Sequence, residues 1–494
     1  MSVPLSAKIS PILRIATMES PVVPILVEGT PSTFYDLLSI FDTLHLNVYQ
    51  SIPTFGMVAG MAAKEHIIDI AAQKEVLMVH PDQNNYCLSF PNPMQALGVD
   101  PFAIATNIAG QSLIKLNADF GKNVYDSFMQ QGLNGLGALS NGLPALPPFP
   151  ANLPPPPQLL PQGMPELPFA AGFGNLPQFP IQTPFASSAQ DQNFGYSTAY
   201  TRKLLGLDKA EEVGLTGKGI KVCVIDTGVD KTSQQVSPAT DFDDAMAVEP
   251  PIDENGHGTH TFTTAVGLGT INYRNIAVKG MAIDATPIAI KVLGGLIGTG
   301  RDSDVIKGME MAYEKSAQVV SMSLGSNVDQ PQSPSCRVVE RLTQEGMIFV
   351  IAAGNSGSKP RTIGTPGTAE SAITVGAVDP KDGQIASFSS RGLTVDGRIK
   401  PDICSYGVDI YSSTSRGSLL DPAGDNRIDG YAKLSGTSMA TPHIAGFVAI
   451  LKQAFKDASA KTIKQVFANK GIQKNPTYGW GVANWSWFES GLKK

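Results

Sequence analysis

Cysteine is scarce in this chain of 494 residues, which contains four: Cys87, Cys223, Cys336 and Cys404. They lie far apart, and no pair has CxxC or metal-ligand spacing, which argues against a disulfide scaffold and against a zinc site. Cys223 lies within the apolar run IKVCVID, as is typical of a buried structural thiol rather than a reactive one. The scarcity also fits a reducing compartment.

An excess of one charge and long apolar runs are also missing. The formal net charge is −6, and Lys and Arg form no long run that would track phosphates, so nucleic acid is not an expected partner. Prolines and charged residues interrupt the first 26 residues before a secretory apolar segment develops. No stretch reaches the roughly 18 apolar residues of a spanning helix. We therefore expect a cytoplasmic protein without signal peptide or transmembrane anchor, with unconventional export left open.

Residues 1–92 predict a small α+β domain. Thr30 and Pro31 supply a helix cap and a first-turn proline between its first strand and first helix. The expected elements are, in order, a strand over PVVPILVEG, a helix over FYDLLSIFDTL, a strand over NVYQSIPTFGMVAGM, a helix over AAKEHIIDIAAQKEV and a strand over VLMVHPD. This order predicts helices on one face of an antiparallel, ferredoxin-like sheet. An ordinary accessory domain would have the same order.

Residues 93–197 have a different composition. Glu166 is the one charged residue between positions 127 and 190, and 14 of the 37 prolines lie between positions 144 and 184. Proline removes amide donors and favours extended polyproline conformation, so this segment predicts a semi-rigid linker rather than a regular core. The alternative is that its leucines and phenylalanines dock onto a groove of this protein or of a partner.

Residues 198–494 predict a third domain, with a parallel α/β sheet flanked by helices. Segments with helical periodicity separate apolar runs of strand length that lack polar alternation, as strands buried on both faces require. These runs are IKVCVID, TPIAIKVL, AQVVSMSL, MIFVIAA and SAITVGAV. Ligand sites in such sheets lie beyond the carboxyl ends of the strands.

Two motifs are expected to place a carboxylate and an imidazole near the carboxyl ends of these strands. Asp226 ends the run IKVCVID, where a partly shielded carboxylate can orient an imidazole, although a structural turn aspartate would look the same. His257 lies between two glycines in GHGTH, which let backbone and substrate approach a ring that moves protons near neutral pH. His257 and His260 are three residues apart without the HExxH arrangement, which makes a metal pair the weaker interpretation.

Two further motifs place a hydroxyl and an amide nearby. Ser438 in GTSMATPH precedes the helical pattern IAGFVAILKQAF, so free amides and the helix dipole would favour negative charge at its oxygen. An N-capping serine is the alternative interpretation. Asn355 in AAGNSG follows the run MIFVIAA, where its amide would donate a hydrogen bond to an oxyanion. A turn asparagine would have the same sequence.

Together the motifs follow the chain order Asp, His, Ser that subtilisin has. The segment from about Gly217 to the carboxyl end resembles the subtilisin family of catalytic domains. The matching stretches are GKGIKVCVIDTGVD, NGHGTH, IAIKVLG, VVSMSLG, AAGNSG, TIGTPG, ITVGAVD, ASFSSRG, KPDI, SGTSMATPHIAG and YGWG. This resemblance implies a serine endopeptidase that acts on polypeptides and requires no cofactor.

The resemblance also implies residue roles. Ser438 would be the nucleophile, His257 the general base and then acid, and Asp226 the orienting carboxylate, while Asn355 and the Ser438 amide would form the oxyanion hole. The residues that would contact extended substrate are Ser323, Leu324, Gly325, Gly298, Gly300, Ala353, Gly354 and Gly364. A glycine at position 364 would leave room in the primary pocket for a large apolar residue.

The amino-terminal domain resembles the inhibitory propeptide of the same family, which implies a plug bound in cis and released by self-cleavage. The cut would fall at residues 86–90 or at residues 194–200. Family members often bind calcium, but the matching loop, GTINYRNIAVKG, has no carboxylate. The alternative functions are a permanently plugged binding protein and a hydrolase of non-peptide acyl groups.

The chain departs from the family pattern at two places. Thr261, Phe262, Thr263 and Thr264 replace small residues after GTH, so the helix that carries His257 is expected to pack differently. Ser405 and Tyr406 follow KPDI where the family has alanine and proline. Neither change removes a catalytic group.

Overall fold

The computed structural model describes residues 8–10, 13, 22–87, 90–91, 196–246, 252–271, 276–326, 330–421 and 430–489. Residues 93–195, which are most of the expected Pro-rich linker, lie outside them, and so do most of the first 26 residues, which the expected absence of a signal peptide concerns. No helix of the described residues is long and apolar enough to cross a membrane.

The described residues of the amino-terminal part include two α-helices and a four-stranded antiparallel sheet. Its elements are β1 (Val22–Glu28), α1 (Phe34–Thr43), β2 (Val48–Ile52), β3 (Met57–Ala63), α2 (Lys64–Ala72), β4 (Met78–Pro81), β5 (Asn84–Cys87) and β6 (Phe90–Pro91). The sheet has the strand order β2-β3-β1-β4. The sequence β1-α1-β2-β3-α2-β4 with this pairing is the ferredoxin-like arrangement.

The single strand predicted over NVYQSIPTFGMVAGM is wrong, because this segment forms the antiparallel pair β2 and β3. A short 3-10 helix, Pro53–Phe55, separates the two strands. Pro53 has no amide for a sheet hydrogen bond, and Gly56 takes a left-handed φ of 65°, so the chain reverses there.

The larger part contains the remaining helices and strands. They are β7 (Tyr196–Ser197), α3 (Thr198–Leu204), α4 (Leu207–Glu212), β8 (Lys221–Asp226), β9 (Asp241–Asp244), α5 (His257–Val266), β10 (Thr270–Ile271), β11 (Ala277–Val278), β12 (Thr286–Lys291), β13 (Thr299–Arg301), α6 (Asp302–Glu314), β14 (Val319–Met322), β15 (Leu324–Gly325), α7 (Pro334–Gln344), β16 (Ile348–Ala352), β17 (Ile373–Val378), β18 (Ile403–Tyr406), β19 (Ile410–Ser413), β20 (Tyr431–Ser435), α8 (Thr437–Ala454) and α9 (Ala460–Lys470).

A seven-stranded sheet forms the centre of this part, with the order β18-β17-β16-β14-β8-β12-β9. Every pair in it is parallel. All residues of β14, β16, β17 and β18 are buried, as expected for strands covered by helices on both faces. The predicted parallel α/β sheet is therefore confirmed.

The two faces of the amino-terminal sheet have different neighbours. Val23, Ile25 and Val27 of β1 pack with α1 and α2 in a core of their own. Leu26, which alternation directs to the opposite face, is part of the core that contains apolar residues of α6 and α7. The backbone amide of Thr54 also donates a hydrogen bond to the carboxylate of Glu310 in α6, at 2.7 Å. This face of the small sheet thus covers two helices of the larger part.

The chain that leaves the small sheet continues into the larger part as strands. β5 lies between β13 and β15 and is antiparallel to both. β6 is antiparallel to β20, the strand that leads into α8. In the sequence only Leu88 and Ser89 separate these paired segments.

Candidate active site

Asp226 and His257 form a buried pair at the carboxyl end of the central strand β8. The Nδ1 atom of His257 lies 2.6 Å from Oδ1 of Asp226, and the two side chains are 0% and 1% exposed. A carboxylate only accepts, so Nδ1 of His257 carries the proton and donates it. In the neutral form of the ring, Nε2 is then the unprotonated atom, as a general base requires.

Asp253 holds the loops that carry this pair, although the sequence analysis did not single it out. Its carboxylate accepts hydrogen bonds from the amides of Gly256 and Thr259 and from the hydroxyls of Thr259 and Thr227, at 2.6 to 2.8 Å. Thr227 in turn accepts from the amide of Gly258. Burial raises the pKa of Asp253, and these hydrogen bonds oppose the rise. The only sequence signal was its place four residues before His257.

Ser438 is the second residue of α8, which packs against α5. Its hydroxyl is fully buried and donates to the carbonyl of Ser323 at 2.9 Å, while the Ser323 hydroxyl donates to the carbonyl of Ser438 at 2.8 Å. The Nε2 atom of His257 is buried without a hydrogen-bond partner among the described residues. The structure therefore has the Asp–His hydrogen bond but not a Ser–His hydrogen bond.

Asn355 contacts the residue that precedes Ser438. Its Oδ1 accepts hydrogen bonds from the amide and the hydroxyl of Thr437, both at 2.9 Å. Because Thr437 fixes the oxygen, the amide nitrogen of Asn355 is the end directed away from it. The Ser438 amide lies in the first turn of α8, where helix amides have no intrahelical carbonyl to bind. These two donors are the ones that the sequence analysis assigns to an oxyanion hole.

The glycines of the predicted substrate cleft stand where a side chain would not fit. A Cβ on Gly300 would lie 2.0 Å from the carbonyl of Val292, and one on Gly364 would lie 2.2 Å from that of Ser326. Gly298 has a φ of +68°, and its carbonyl accepts the amide of Cys87 at 3.1 Å. Ala353 is fully buried at the end of β16, and its carbonyl accepts the amide of Gly364.

Strand β5 lies between β13 and β15, which contain Gly300, Leu324 and Gly325, three of the residues expected to contact extended substrate. Tyr86 pairs with both Thr299 and Gly325, and Cys87 pairs with Leu324. The next residue toward the nucleophile is Ser323, which exchanges hydrogen bonds with Ser438. The chain's own segment is therefore extended and paired with these residues, as the sequence analysis expects of a substrate, and it runs antiparallel to both strands.

A carboxylate contacts this strand in the cleft. The Nδ2 atom of Asn85 donates to Oδ1 of Asp302 at 2.9 Å, and the two residues are 0% and 3% exposed. Burial raises the pKa of Asp302 to about 6, opposed by hydrogen bonds from Asn85 and Ser335. Sequence reasoning missed both residues, because no motif marks a contact between positions 217 residues apart.

The other histidines do not join His257 in a metal pair. His260 is directed to the carbonyl of Ile410, at 3.0 Å, and burial lowers its pKa to about 3. The described residues contain no cluster of three or more His, Cys, Asp or Glu able to hold a metal ion. The loop matched to a calcium site lies partly outside them, at residues 272–275. All four cysteines are free thiols.

The residues that differ from the family pattern make specific contacts: the threonines after GTH form hydrogen bonds, and the tyrosine after KPDI packs against a histidine ring. The hydroxyl of Thr261 lies 3.2 Å from Oδ2 of Asp226 and 3.1 Å from the carbonyl of Gly258. The hydroxyl of Thr263 contacts that of Ser412 at 2.9 Å. Tyr406 packs edge-on against the ring of His443, 6.5 Å between centroids.

A parallel α/β sheet that carries Asp, His and Ser in this chain order defines the class of serine hydrolases with the subtilisin arrangement. The chain belongs to the subtilase family, whose model matches residues 217–481.

Three curated relatives show the extent of the similarity. The chain is 36% identical over 294 residues to the serine protease AprX of Bacillus subtilis (strain 168), which is 55% of this chain and 66% of AprX. It is 36% identical over 279 residues to Subtilisin Savinase of Lederbergia lenta, which is 56% of this chain and 92% of that protein. It is 36% identical over 254 residues to pyrolysin of Pyrococcus furiosus, which is 40% of this chain and 17% of pyrolysin. The chain therefore spans less than two thirds of AprX and a small part of pyrolysin.

Proposed function

We propose that the protein is a serine endopeptidase, made as a precursor that cuts itself. The observation that supports this most is the buried hydrogen bond between Asp226 and His257 beside the helix that begins with Thr437 and Ser438. The family and the relatives, which include a protease and a subtilisin by name, support the same activity.

The chemistry follows from the groups at hand. Nε2 of His257 takes the proton of the Ser438 hydroxyl as its oxygen attacks the scissile carbonyl, and returns it to the leaving amine. Asp226 stabilises the protonated ring, while Asn355 and the Ser438 amide donate to the oxyanion. Before attack, the Ser438 hydroxyl has to leave the Ser323 carbonyl, which rotation of its side chain to another staggered rotamer accomplishes. Water then hydrolyses the acyl-enzyme by the same proton transfers.

We assign the amino-terminal domain the role of an inhibitor bound in cis. Its small sheet covers α6 and α7, and β5 fills the cleft that a substrate would need. Backbone pairing of this kind accepts many side chains, so the same cleft would bind extended polypeptides of varied sequence. It also favours peptides over the alternative of small non-peptide acyl groups.

The register of β5 and β6 supports self-cleavage between Leu88 and Ser89. Cys87 pairs one residue beyond Ser323, and Phe90 pairs with Ser435, three residues before the nucleophile. Leu88 and Ser89 themselves lie outside the described residues. A leucine before the cut bond agrees with the expectation of a large apolar residue at that position. In contrast, Tyr196 is buried and pairs with β19, which disfavours a first cut at residues 194–200.

Leu88→Asp is expected to slow self-cleavage at least about a hundredfold, because it would bury an unpaired carboxylate in an apolar pocket. Intact mass followed over time measures the rate and locates the cut. Leu88→Met should cleave at nearly the wild-type rate and is the matched control. If Phe194→Asp stops the cut and Leu88→Asp does not, the assignment of the bond is wrong.

Asn355→Ala is expected to lower kcat about 100- to 1000-fold while KM changes little, because the amide binds the oxyanion and not the ground-state carbonyl. Peptide hydrolysis by the self-processed protein measures both constants. Thermal unfolding separates this effect from loss of the hydrogen bonds to Thr437. A rise in KM with unchanged kcat would indicate that Asn355 is only a turn residue.

The competing function is a permanently plugged protein that binds partners. It differs from a protease in one observable, the reaction of Ser438 with a fluorophosphonate. A chain that stays whole and unlabelled even after limited proteolysis of residues 1–195 would favour the binding role.

A further inference from the structure

The contact between Asn85 and Asp302 extends the proposed function to the kind of sequence that the protein would cut. Four residues of β5 enter the cleft, and alternation along the strand directs Asn85 and Cys87 to the same side. Cys87 approaches the carbonyl of Ile297, and Asn85 is fully buried with its amide nitrogen on the carboxylate of Asp302. Asn84, the first residue of β5, is exposed.

We propose that Asp302 forms a specificity pocket for the fourth residue before the cut bond, and that this pocket selects a side chain that donates a hydrogen bond, such as asparagine. This inference rests on the proposed endopeptidase activity and on cleavage after Leu88. It adds a polar requirement to the preference for a large apolar residue directly before the bond.

The chemistry of the pocket explains the selection. Asp302 is the first residue of α6, where the helix dipole favours negative charge. Its pKa of about 6 leaves the carboxylate ionised at neutral pH, so it accepts hydrogen bonds and donates none. A leucine in the pocket would bury the charge without a donor, and an aspartate would place a second negative charge beside it.

A hydroxyl, that of Ser335, and a carboxylate, that of Asp82, also act on Asp302. Ser335, fully buried at the start of α7, contributes a hydrogen bond, so an incoming side chain completes a partly satisfied acceptor. The carboxylate of Asp82 is close enough for repulsion, but it belongs to the amino-terminal domain and would leave with it. Free substrate would therefore meet Asp302 and Ser335 without the charge of Asp82.

Peptides that span residues 83–92 test the proposal, with Asn, Leu or Asp at position 85 and Cys87→Ala throughout. They are offered to the self-processed wild-type protein and to Asp302→Leu, Asp302→Asn and Asp304→Asn. Asp304 is a carboxylate of the same helical turn that contacts Gln50 and the amide of Arg301, which makes its variant the matched control. The measured quantity is kcat/KM for cleavage after Leu88.

The wild type and Asp304→Asn should cleave the Asn peptide at least about tenfold faster than the Leu peptide and about a hundredfold faster than the Asp peptide. Asp302→Leu should prefer the Leu peptide. Asp302→Asn should still cleave the Asn peptide, but its kcat/KM for the Asp peptide should be less than about tenfold lower. The amide of the new asparagine can donate a hydrogen bond to the aspartate of that peptide.

The outcomes separate this inference from the proposed function. If no peptide is cut by the wild type, the endopeptidase proposal itself fails. If the wild type cuts the Leu peptide as fast as the Asn peptide, the protease stands and the pocket assignment is overturned. Should Asp302→Leu not fold, the wild-type comparison and the isosteric Asp302→Asn variant decide. Asn85→Leu in the full chain should also slow self-cleavage at least about tenfold.

Discussion

Ser438→Ala is expected to abolish self-cleavage: the chain stays at its full mass and takes up no fluorophosphonate, while the wild type shortens and is labelled at Ser438. Loss of the nucleophile in a Ser-His-Asp hydrolase lowers kcat by about a million-fold, so no cut should be visible within days. Intact mass spectrometry and probe labelling over the same time course measure both effects.

The fold should survive this substitution. Among the described residues the Ser438 hydroxyl donates to the Ser323 carbonyl, and loss of this hydrogen bond costs about 1 kcal/mol of unfolding free energy. Thermal unfolding should therefore shift by a few degrees at most. Ser486→Ala, at an exposed serine, is the control and should process normally. A Ser438→Ala chain that shortens at the wild-type rate would show that another protease makes the cut.

Asp226→Asn is expected to slow self-cleavage about ten-thousandfold, because loss of the triad aspartate alone lowers kcat by about that factor in subtilisin and the substitution removes the negative charge that stabilises protonated His257. The backbone amide of Thr227 also donates to Oδ1 of Asp226, at 2.7 Å, and should keep an oxygen of the new amide facing the ring. The effect then comes mainly from the lost charge rather than from a reversed imidazole. The half-time of self-cleavage measures this loss of rate directly, because each chain cuts itself once.

Asp284→Asn is the control for this experiment, since Asp284 is exposed at the opposite end of the sheet, before β12. It should cleave at the wild-type rate. A fall of less than about tenfold for Asp226→Asn would favour the alternative interpretation of Asp226 as a structural turn residue, for which the charge is unimportant.

Local sequence was sufficient for the parallel sheet and for the four motifs. Strands such as MIFVIAA are apolar throughout because both faces are covered, and the polar residues at their ends, such as Asn355, lie at the site edge for the same reason. The hairpin of β2 and β3 was harder to predict. Its turn lies within a segment predicted as one strand, and the residues that reverse the chain there are Pro53 and Gly56.

The contacts within the cleft were not predictable in this way. Sequence order indicated a plug but not its register, and it gave no sign that Asn85 meets Asp302 or that Ser438 binds the Ser323 carbonyl. The residues of these two pairs are 217 and 115 positions apart in the sequence. No periodic pattern within a short segment indicates either contact.

By itself, the sequence determined the family, the parallel sheet and the order Asp226, His257, Ser438, because each depends on short motifs and on the burial pattern of single strands. Only the tertiary structure decided that the chain's own strand β5 fills the cleft and that a buried carboxylate faces its asparagine. The physical reason is that packing and hydrogen bonding join segments by their position in space, and residues far apart in the chain meet only after the sheet and its helices have formed.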